Sequence, residues 1–433
     1  MSYEAIKSLI LTLLIGTSIF LSFILWTYQP NYKQIYDTSY VNEANVGGRE
    51  ILKSELIKPQ HILFKKRDEV YGFEKPLLKN NFYEEMTNWT FYEYKESSVE
   101  DEDDLNHHIE ILYPLQISSE LLSNMFTFND NINLPSWSFD KISMTLDEQK
   151  HTMEMAIYSV DNRRKITATV DKLEVFEFLQ SYFYDLTDLI QYIDVNEDDE
   201  KQPIFIPKDT IEMQKKTLVI SQIEPELFVN ALFSNPNVVT PNRKEAYFTD
   251  GQRGMRIVHD DNGLEFIHPI QTTFERNDLL SLLDKSVEHI NDHKGWTNNF
   301  LLDDYISINN ELIFRLHHDG YSLFDYHHLT TIQEVWRNQQ LYRYHRPLYR
   351  LDNVLSNKKE NLPSSEELIG YLKQSESYEF NKINDIKIGY YVQFLHDSHS
   401  VSLEPNWFIL YENDWKKLSI EDIQSATELG VGY

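Results

Sequence analysis

The 433-residue sequence contains no cysteine. This excludes disulfide frameworks, thiolate zinc sites, iron–sulfur clusters, cysteine nucleophiles and lipid anchors on cysteine. Glycine is scarce, at 13 residues, and neither a phosphate-binding glycine loop nor a dinucleotide fingerprint occurs. The nucleophile elbow G-x-S-x-G is absent as well. Positive charge is in short supply: 40 Lys and Arg stand against 69 Asp and Glu, a formal net charge of -29. Such a chain repels phosphate backbones, which argues against nucleic acid as a partner, and the same charge keeps an exposed domain soluble.

What is present is apolar and aromatic. With 27 Tyr, 24 Phe and 7 Trp, the chain has material for real cores, and its length suggests two or three domains. One apolar run stands apart. "SLILTLLIGTSIFLSFILWTY", Ser8 to Tyr28, carries no charge. As a helix, its roughly 21 residues would span about 30 Å, the thickness of a bilayer core. Trp26 and Tyr28 close it with interfacial rings. Lys7 precedes it, and Lys33 is the nearest cation beyond it. This bias places the N-terminus in the cytoplasm and the bulk of the chain outside the cell membrane. Ser8, Thr12 and Gly16 recur every four residues on one face, the small-residue spacing that lets two membrane helices approach closely.

The rest divides by composition. Residues 1–7 read as a short cytoplasmic tail, 8–28 as the anchor and 29–58 as a tether with little fixed structure. A first α+β domain is expected over 59–200, with strands in "HHIEILYPL", "TMEMAIYSV" and "KITATV" and an amphipathic helix from Lys172 to Ile193. A second spans 201–295, with a hairpin turning at Asn262-Gly263 and a helix from Asp278 to Lys294 capped by Gly295. A third spans 296–420, strand-rich, with a helix opened by the Ser364/Glu367 capping box. Residues 421–433 form a tail. The fold class is α+β, a single transmembrane helix followed by mostly antiparallel sheets with packed helices.

Several patterns resemble chemistry. "FRLHHDGYSLFDYHHL" packs His317, His318, His327 and His328 beside Asp319 and Asp325, and imidazole with carboxylate can bind zinc. Adjacent strand residues face opposite ways, so each pair offers at most one ligand. The composition is also that of a strand ending in a turn. His289 and His293 stand four apart on a helix but lack the neighbouring Glu that hydrolysis needs. "SFDK" at Ser138 and "SNKK" at Ser356 match Ser-x-x-Lys without the supporting elements of penicillin-binding enzymes. No catalytic, cofactor or metal residue is assigned.

The order of segments resembles the YycH family. The resemblance begins in the anchor and continues in "MAIYSVDNRRKITATV" and "LFVNALFSNPNVVT". It is most specific in "HKGWTNNFLLDDYISINNELIFRLHHDGYSLF" and "EVWRNQQLYRYHRPLYRLD", and it ends in "IKIGYYVQF" and "VSLEPNWFILYENDW". Within it Asp319-Gly320-Tyr321 belongs to the family pattern and the surrounding histidines do not. The resemblance implies a non-enzymatic, membrane-anchored regulator without a cofactor. With a YycI-like protein it would modulate the essential sensor histidine kinase of the cell-wall two-component system in Gram-positive bacteria. Ser8, Thr12 and Gly16 would then be the partner-binding face. A second reading is an anchored cell-envelope enzyme acting on wall polymer. The apolar run exceeds a signal-peptide core and no A-x-A-like site follows it. The mature chain is therefore expected to retain Met1 or Ser2. Intact mass of the membrane fraction would contradict this by showing an N-terminus beyond Tyr28.

Overall fold

The computed structural model describes residues 16–18, 44–99, 107–129, 132–196, 202–242, 246–269, 275–395 and 399–430. Gly16 is helical and exposed, whereas most of the expected membrane span, with Ser8 and Thr12, lies outside the described residues. Among the described residues no helix is long and apolar enough to cross a membrane.

The strands form two sheets, not three. The first contains β1 (His61–Lys66), β2 (Glu69–Phe73), β3 (Thr90–Ser98), β4 (His107–Ser118), β5 (Thr127–Phe128), β6 (Ser138–Asp147), β7 (Thr152–Tyr158), β8 (Arg164–Val170), β9 (Leu189–Asp194) and β10 (Phe205–Pro207). Its spatial order is β10-β9-β2-β1-β4-β6-β7-β8-β3-β5. The second holds β11 (Ile211–Gln222), β12 (Thr240–Asn242), β13 (Tyr247–Thr249), β14 (Gly254–Val258), β15 (Gly263–Ile267), β16 (Phe300–Ile306), β17 (Glu311–His318) and β18 (Tyr321–Phe324). It continues with β19 (Thr331–Arg337), β20 (Gln340–Pro347), β21 (Tyr349–Leu362), β22 (Ile383–Leu395), β23 (Ser400–Tyr411) and β24 (Asp414–Lys417). Its path runs β12-β13-β14-β15-β20-β19-β17-β18-β22-β23-β11-β21. Among the described pairs only β3–β5 and β18–β22 are parallel. The architecture is α+β with mostly antiparallel sheets, as the alternating sequence implied.

Side-chain period explains the layers. In β8 Ile166, Ala168 and Val170 are buried while Lys165, Thr167 and Thr169 are not, the alternation of a half-buried strand. Two helices cover the first sheet, Pro76–Thr87 and Leu173–Tyr184, and join their aromatics over it. Phe82 stacks on Phe178 at 5.6 Å, and Phe64 stacks on Tyr182 at 5.1 Å. The helix Leu279–Asp292 sends Leu279, Leu282, Leu283, Val287 and Ile290 into the second core, and Asp278 caps it by accepting from the Ser281 amide at 2.9 Å. The capping box is present: Glu367 accepts from the Ser364 amide at 2.7 Å.

Four local expectations are corrected. The helix expected to Ile193 stops at Tyr184, and Leu189–Asp194 is β9, paired with β2 and β10. Leu186, Leu189, Ile190 and Ile193 keep the helical spacing i, i+3, i+4, i+7, but the Asp185–Thr187 side-chain turn breaks the helix. The β14–β15 hairpin turns through His259, Asp260 and Asp261, all at positive φ, while Gly263 already lies in β15. Gly263 is needed for proximity, since a Cβ there would lie 2.7 Å from Leu329. Past the Leu279–Asp292 helix it is Lys294, not Gly295, that takes positive φ. Finally, residues 420–430, largely within the expected tail, are helical, with Ile423 fully buried.

Of the expected tether, residues 29–43 lie outside the described residues, and residues 44–58 depart from the expectation. Val46, Ile51, Leu56 and Ile57 are buried. The amides of Val46, Gly48 and Arg49 donate to the carbonyls of His293, Lys294 and Trp296 at 3.0, 2.9 and 3.2 Å. Asn291 completes the join: its Oδ1 accepts from the Ile51 amide at 3.0 Å and from Trp296 Nε1 at 2.8 Å, and its Nδ2 donates to the Ile51 carbonyl. The boundary expected at 295/296 falls inside this turn, with elements of the second sheet's core on both sides. Asn291→Ala removes three hydrogen bonds from partly buried groups, and a single such loss costs about 1–3 kcal/mol. Urea unfolding should show a loss of at least that order. Amide exchange should accelerate at residues 46–52 first. Unchanged exchange there would show that burial alone fastens the arm.

Candidate functional site

The histidine knot is divided among structural partners. His317 lies at the end of β17, where its Nδ1 donates to the Arg315 carbonyl at 3.0 Å and its Nε2 accepts from Ser322 Oγ at 3.0 Å. Burial pushes its pKa down to about 4, which keeps it neutral. His318 is beside Asp319 at 3.8 Å. His327 stacks on His259 at 4.4 Å, and the His328 carbonyl accepts from His345 Nε2 at 3.0 Å. Among the described residues no group of three or more His, Asp or Glu is placed to hold a metal ion.

The other patterns also resolve into structure. His289 Nδ1 meets Glu334 at 2.6 Å, and the carboxylate is fully buried. Trp336 Nε1 bridges the second oxygen of Glu334 and Ser286 Oγ, at 3.2 and 2.9 Å. His293 contacts the Tyr344 hydroxyl at 3.2 Å. Burial, then His289 and Arg346, lower its pKa well below the ordinary value. Ser138 and Lys141 are three apart on β6, and Ser356 and Lys359 three apart on β21. Residues three apart on a strand point to opposite faces, so neither pair forms a Ser-Lys dyad. Lys359 instead pairs with Glu212 at 2.8 Å.

The concave feature with convergent polar groups lies where the two sheets meet, and its residues were not singled out in the sequence. A cavity of about 150 Å³ opens between β1, β2, β9 and the Pro76–Thr87 helix on one side and β16, β17, β18 and β22 on the other. Much of its wall is apolar, including Ile62, Phe73, Ile206, Leu302, Ile388 and Trp407. The Asp319-Gly320 turn closes one side. Gly320 has φ +80°, and a Cβ there would approach Pro76 Cβ to 2.7 Å. This close approach explains why a glycine stands in the family-like Asp-Gly-Tyr.

The nitrogen-bearing side chains lining the cavity include His61 from β1, Lys79 from the helix and Lys387 from β22, with Lys58, Gln60, Asn80 and His317 also in its wall. Lys79 Nζ donates to the carbonyls of Pro59 and Gln60 at 2.8 and 2.9 Å and has no carboxylate partner among the described residues. Burial, reinforced by Lys387, pushes Lys79 down to about 7. Burial, with Lys79 and Lys387, pushes His61 down to about 3. The nearby acid is already committed. Arg315 holds Asp303 at 2.7 and 2.8 Å; burial would raise that carboxyl, and the guanidinium outweighs it to hold it low. Gln60 Nε2 donates across the seam to Asp385 at 3.0 Å, and Asp385 also pairs with Lys387 at 3.4 Å. Sequence gave no signal for this cluster, because Gln60 and Asp385 are 325 positions apart. Lys79 in "PLLKNNF" looks like an ordinary exposed helix position.

Lys79 has a folded-state pKa of about 7 against 10.5 when unperturbed. Between these values the unfolded chain binds the extra proton, so the site's contribution to stability rises with pH through that window. Lys79→Met removes the dependence. Its stability relative to the native sequence should be highest near pH 6 and fall, by on the order of 3 kcal/mol, by about pH 9.5. Denaturant unfolding at the two pH values checks this; a difference independent of pH would refute the buried ammonium.

Comparison with known proteins gives a consistent result. The family model described as "YycH protein, N-terminal domain" matches residues 4–182, and that of "YycH protein, C-terminal domain" matches residues 201–423. A relative from Bacillus subtilis (strain 168), named as the two-component system WalR/WalK regulatory protein YycH, is 21% identical over 442 residues and is matched over 94% of either chain. The crystal structure of YycH from Bacillus subtilis superposes with a TM-score of 0.71 at 18% identity, covering 87% of this chain and 99% of that one. The solved structure shares the fold, and the two domain models in sequence order account for most of the residues: the chain belongs to the YycH family.

Proposed function

We propose that this chain is a non-enzymatic regulator of a two-component system. It acts with a YycI-like partner on the sensor histidine kinase that controls cell-wall metabolism. The observation that carries this reading is the match of both family domains, in order, together with a relative named as a WalR/WalK regulatory protein. The split of both Ser-x-x-Lys pairs across strand faces favours a regulator over an envelope enzyme. In this proposal the uncharged run Ser8–Tyr28 anchors the chain in the cell membrane, its N-terminus is cytoplasmic, and the sheets lie outside. Ser8, Thr12 and Gly16 face a membrane helix of the kinase or of the YycI-like protein. The kinase responds because the regulator contacts its signalling states differently.

Cross-linking in membranes, with identification of the captured proteins, tests the partners: the kinase and a YycI-like protein are expected, and wall polymer enzymes or substrates would favour the alternative. The anchor is tested separately. Close helix approach depends on small residues, while lipid is as apolar as leucine. Gly16→Leu should therefore leave membrane levels normal, reduce recovery of the partners severalfold and shift kinase output. Ser8→Ala and Thr12→Ala alone should do little, since single polar contacts there are worth about 1 kcal/mol. Full regulation by an exported fragment lacking residues 1–28 would move the signalling contact from the anchor to the outer surface.

A further inference from the structure

We propose that the cavity between the two sheets binds a small organic carboxylate, its apolar body against the hydrophobic wall and its carboxylate between Lys79 and Lys387. The inference stands on the cavity alone and goes beyond the regulatory reading.

Four observations converge. The site is concave, formed where two layers meet and mostly apolar with a few convergent polar groups, the usual construction of a small-molecule site. Its volume, about 150 Å³, suits a compact molecule and not a polymer or an acyl chain of membrane length. The polar corner is cationic and incompletely satisfied. Lys79 uses two of its three N–H donors on the carbonyls of Pro59 and Gln60 and meets no acid among the described residues. A buried charge without a partner is costly, and an anion removes that cost. His61 has no hydrogen-bond partner among the described residues and can add a neutral donor. Lys387 reaches the corner from the opposite sheet, leaning on Trp415 at 4.6 Å.

The surrounding charge makes this corner distinctive. A chain with 29 more acidic than basic residues has ample carboxylates to neutralise any lysine. The acids near this one are engaged: Asp303 with Arg315, and Asp385 with Lys387 and Gln60. Glu74 lies at the rim and is exposed. Lys79 and Lys387 face each other across the seam of a protein that repels anions elsewhere. A monoanion with an apolar body fits this combination. Inorganic phosphate would leave the apolar wall unfilled, and a neutral isostere would leave the Lys79 ammonium without a counter-charge.

Calorimetric titration of the purified full chain tests the proposal with benzoate as the probe, benzyl alcohol as its neutral counterpart, and inorganic phosphate as an anion without an apolar body. Benzoate is expected to bind saturably at one site per chain and to raise the thermal midpoint. At equal concentrations the other two should do neither. Lys79→Met should weaken benzoate binding about tenfold or more, the value of one charge-assisted hydrogen bond. Ile206→Trp, which fills the wall and leaves both lysines in place, should also abolish binding; it decides the matter if Lys79→Met fails to fold. Absence of saturable binding at tens of millimolar benzoate overturns the proposal. So does equal binding of benzyl alcohol, or unchanged benzoate affinity in folded Ile206→Trp.

Discussion

The turn from Asn291 to Asn299 is the constraint on which the second sheet and the N-terminal arm both depend. Its backbone carbonyls at His293, Lys294 and Trp296 receive the arm. Its Gly295 carbonyl and Thr297 hydroxyl receive Arg346, which is wholly buried and also reaches the Tyr344 hydroxyl and the Pro347 carbonyl. Asn298 bridges the Tyr349 carbonyl and the Leu351 amide at 2.9 Å each. A buried guanidinium without a carboxylate is tolerable only when its donors are satisfied. Here acceptors from β20 and from the turn satisfy them together, while the Arg346 Cζ lies 4.8 Å from the centroid of the Phe228 ring. The helix, the turn and β20 are therefore defined as a unit, and none of these polar groups can be released singly without leaving another unpaired.

The consequence for the arm is mechanical. An arm that buries Val46, Ile51, Leu56 and Ile57 and repeats a strand-like pattern of bonds against the turn is a rigid mount, not a flexible linker. Displacement at residue 46 is passed to the Leu279–Asp292 helix through Asn291 and to β21 through Arg350, whose Nη2 donates to the Val46 carbonyl at 2.6 Å. The stretch "HKGWTNNF" that carries the most specific family resemblance coincides with this junction. Its Gly48 partner shows why: a Cβ at that position would sit 2.5 Å from the Trp296 carbonyl, so the arm can lie down only as glycine there.

Much of this fold was legible from side-chain period, and the failures have physical causes. Strands with clean alternation, such as "KITATV", and helices with caps, such as Ser364–Glu367, appear where expected. "LIQYID" continues the helical spacing of the segment before it, and only pairing with β2 and β10 makes it a strand. Turns were misplaced because this glycine-poor chain uses glycine for few of them. Positive φ falls on many other residues, with Asn, Asp and His prominent, including His151, His259, His328 and His399, residue types that tolerate the left-handed region better than most. The histidine enrichment that looked like a metal site is thus partly turn chemistry. The cavity could not be read at all. Its cations belong to a helix and a strand some three hundred positions apart, and each looks solvated in its own segment.

The same separation gives the cavity its interest for a regulator. The two sheets are fastened at the arm and along the Asp319-Gly320 contact with Pro76. The seam also presents the polar tie of Gln60 to Asp385, beside two ammonium groups that repel. Packed cores resist continuous deformation, so a change of arrangement concentrates where packing is incomplete and a term is unbalanced. In this chain that place is the seam. An anion held by both sheets would favour the arrangement that brings Lys79 and Lys387 together, and its effect on a partner would equal the partner's own preference for that arrangement. Linkage makes this reciprocal: a protein that grips the outer surface in one arrangement changes the affinity of the cavity by the same factor.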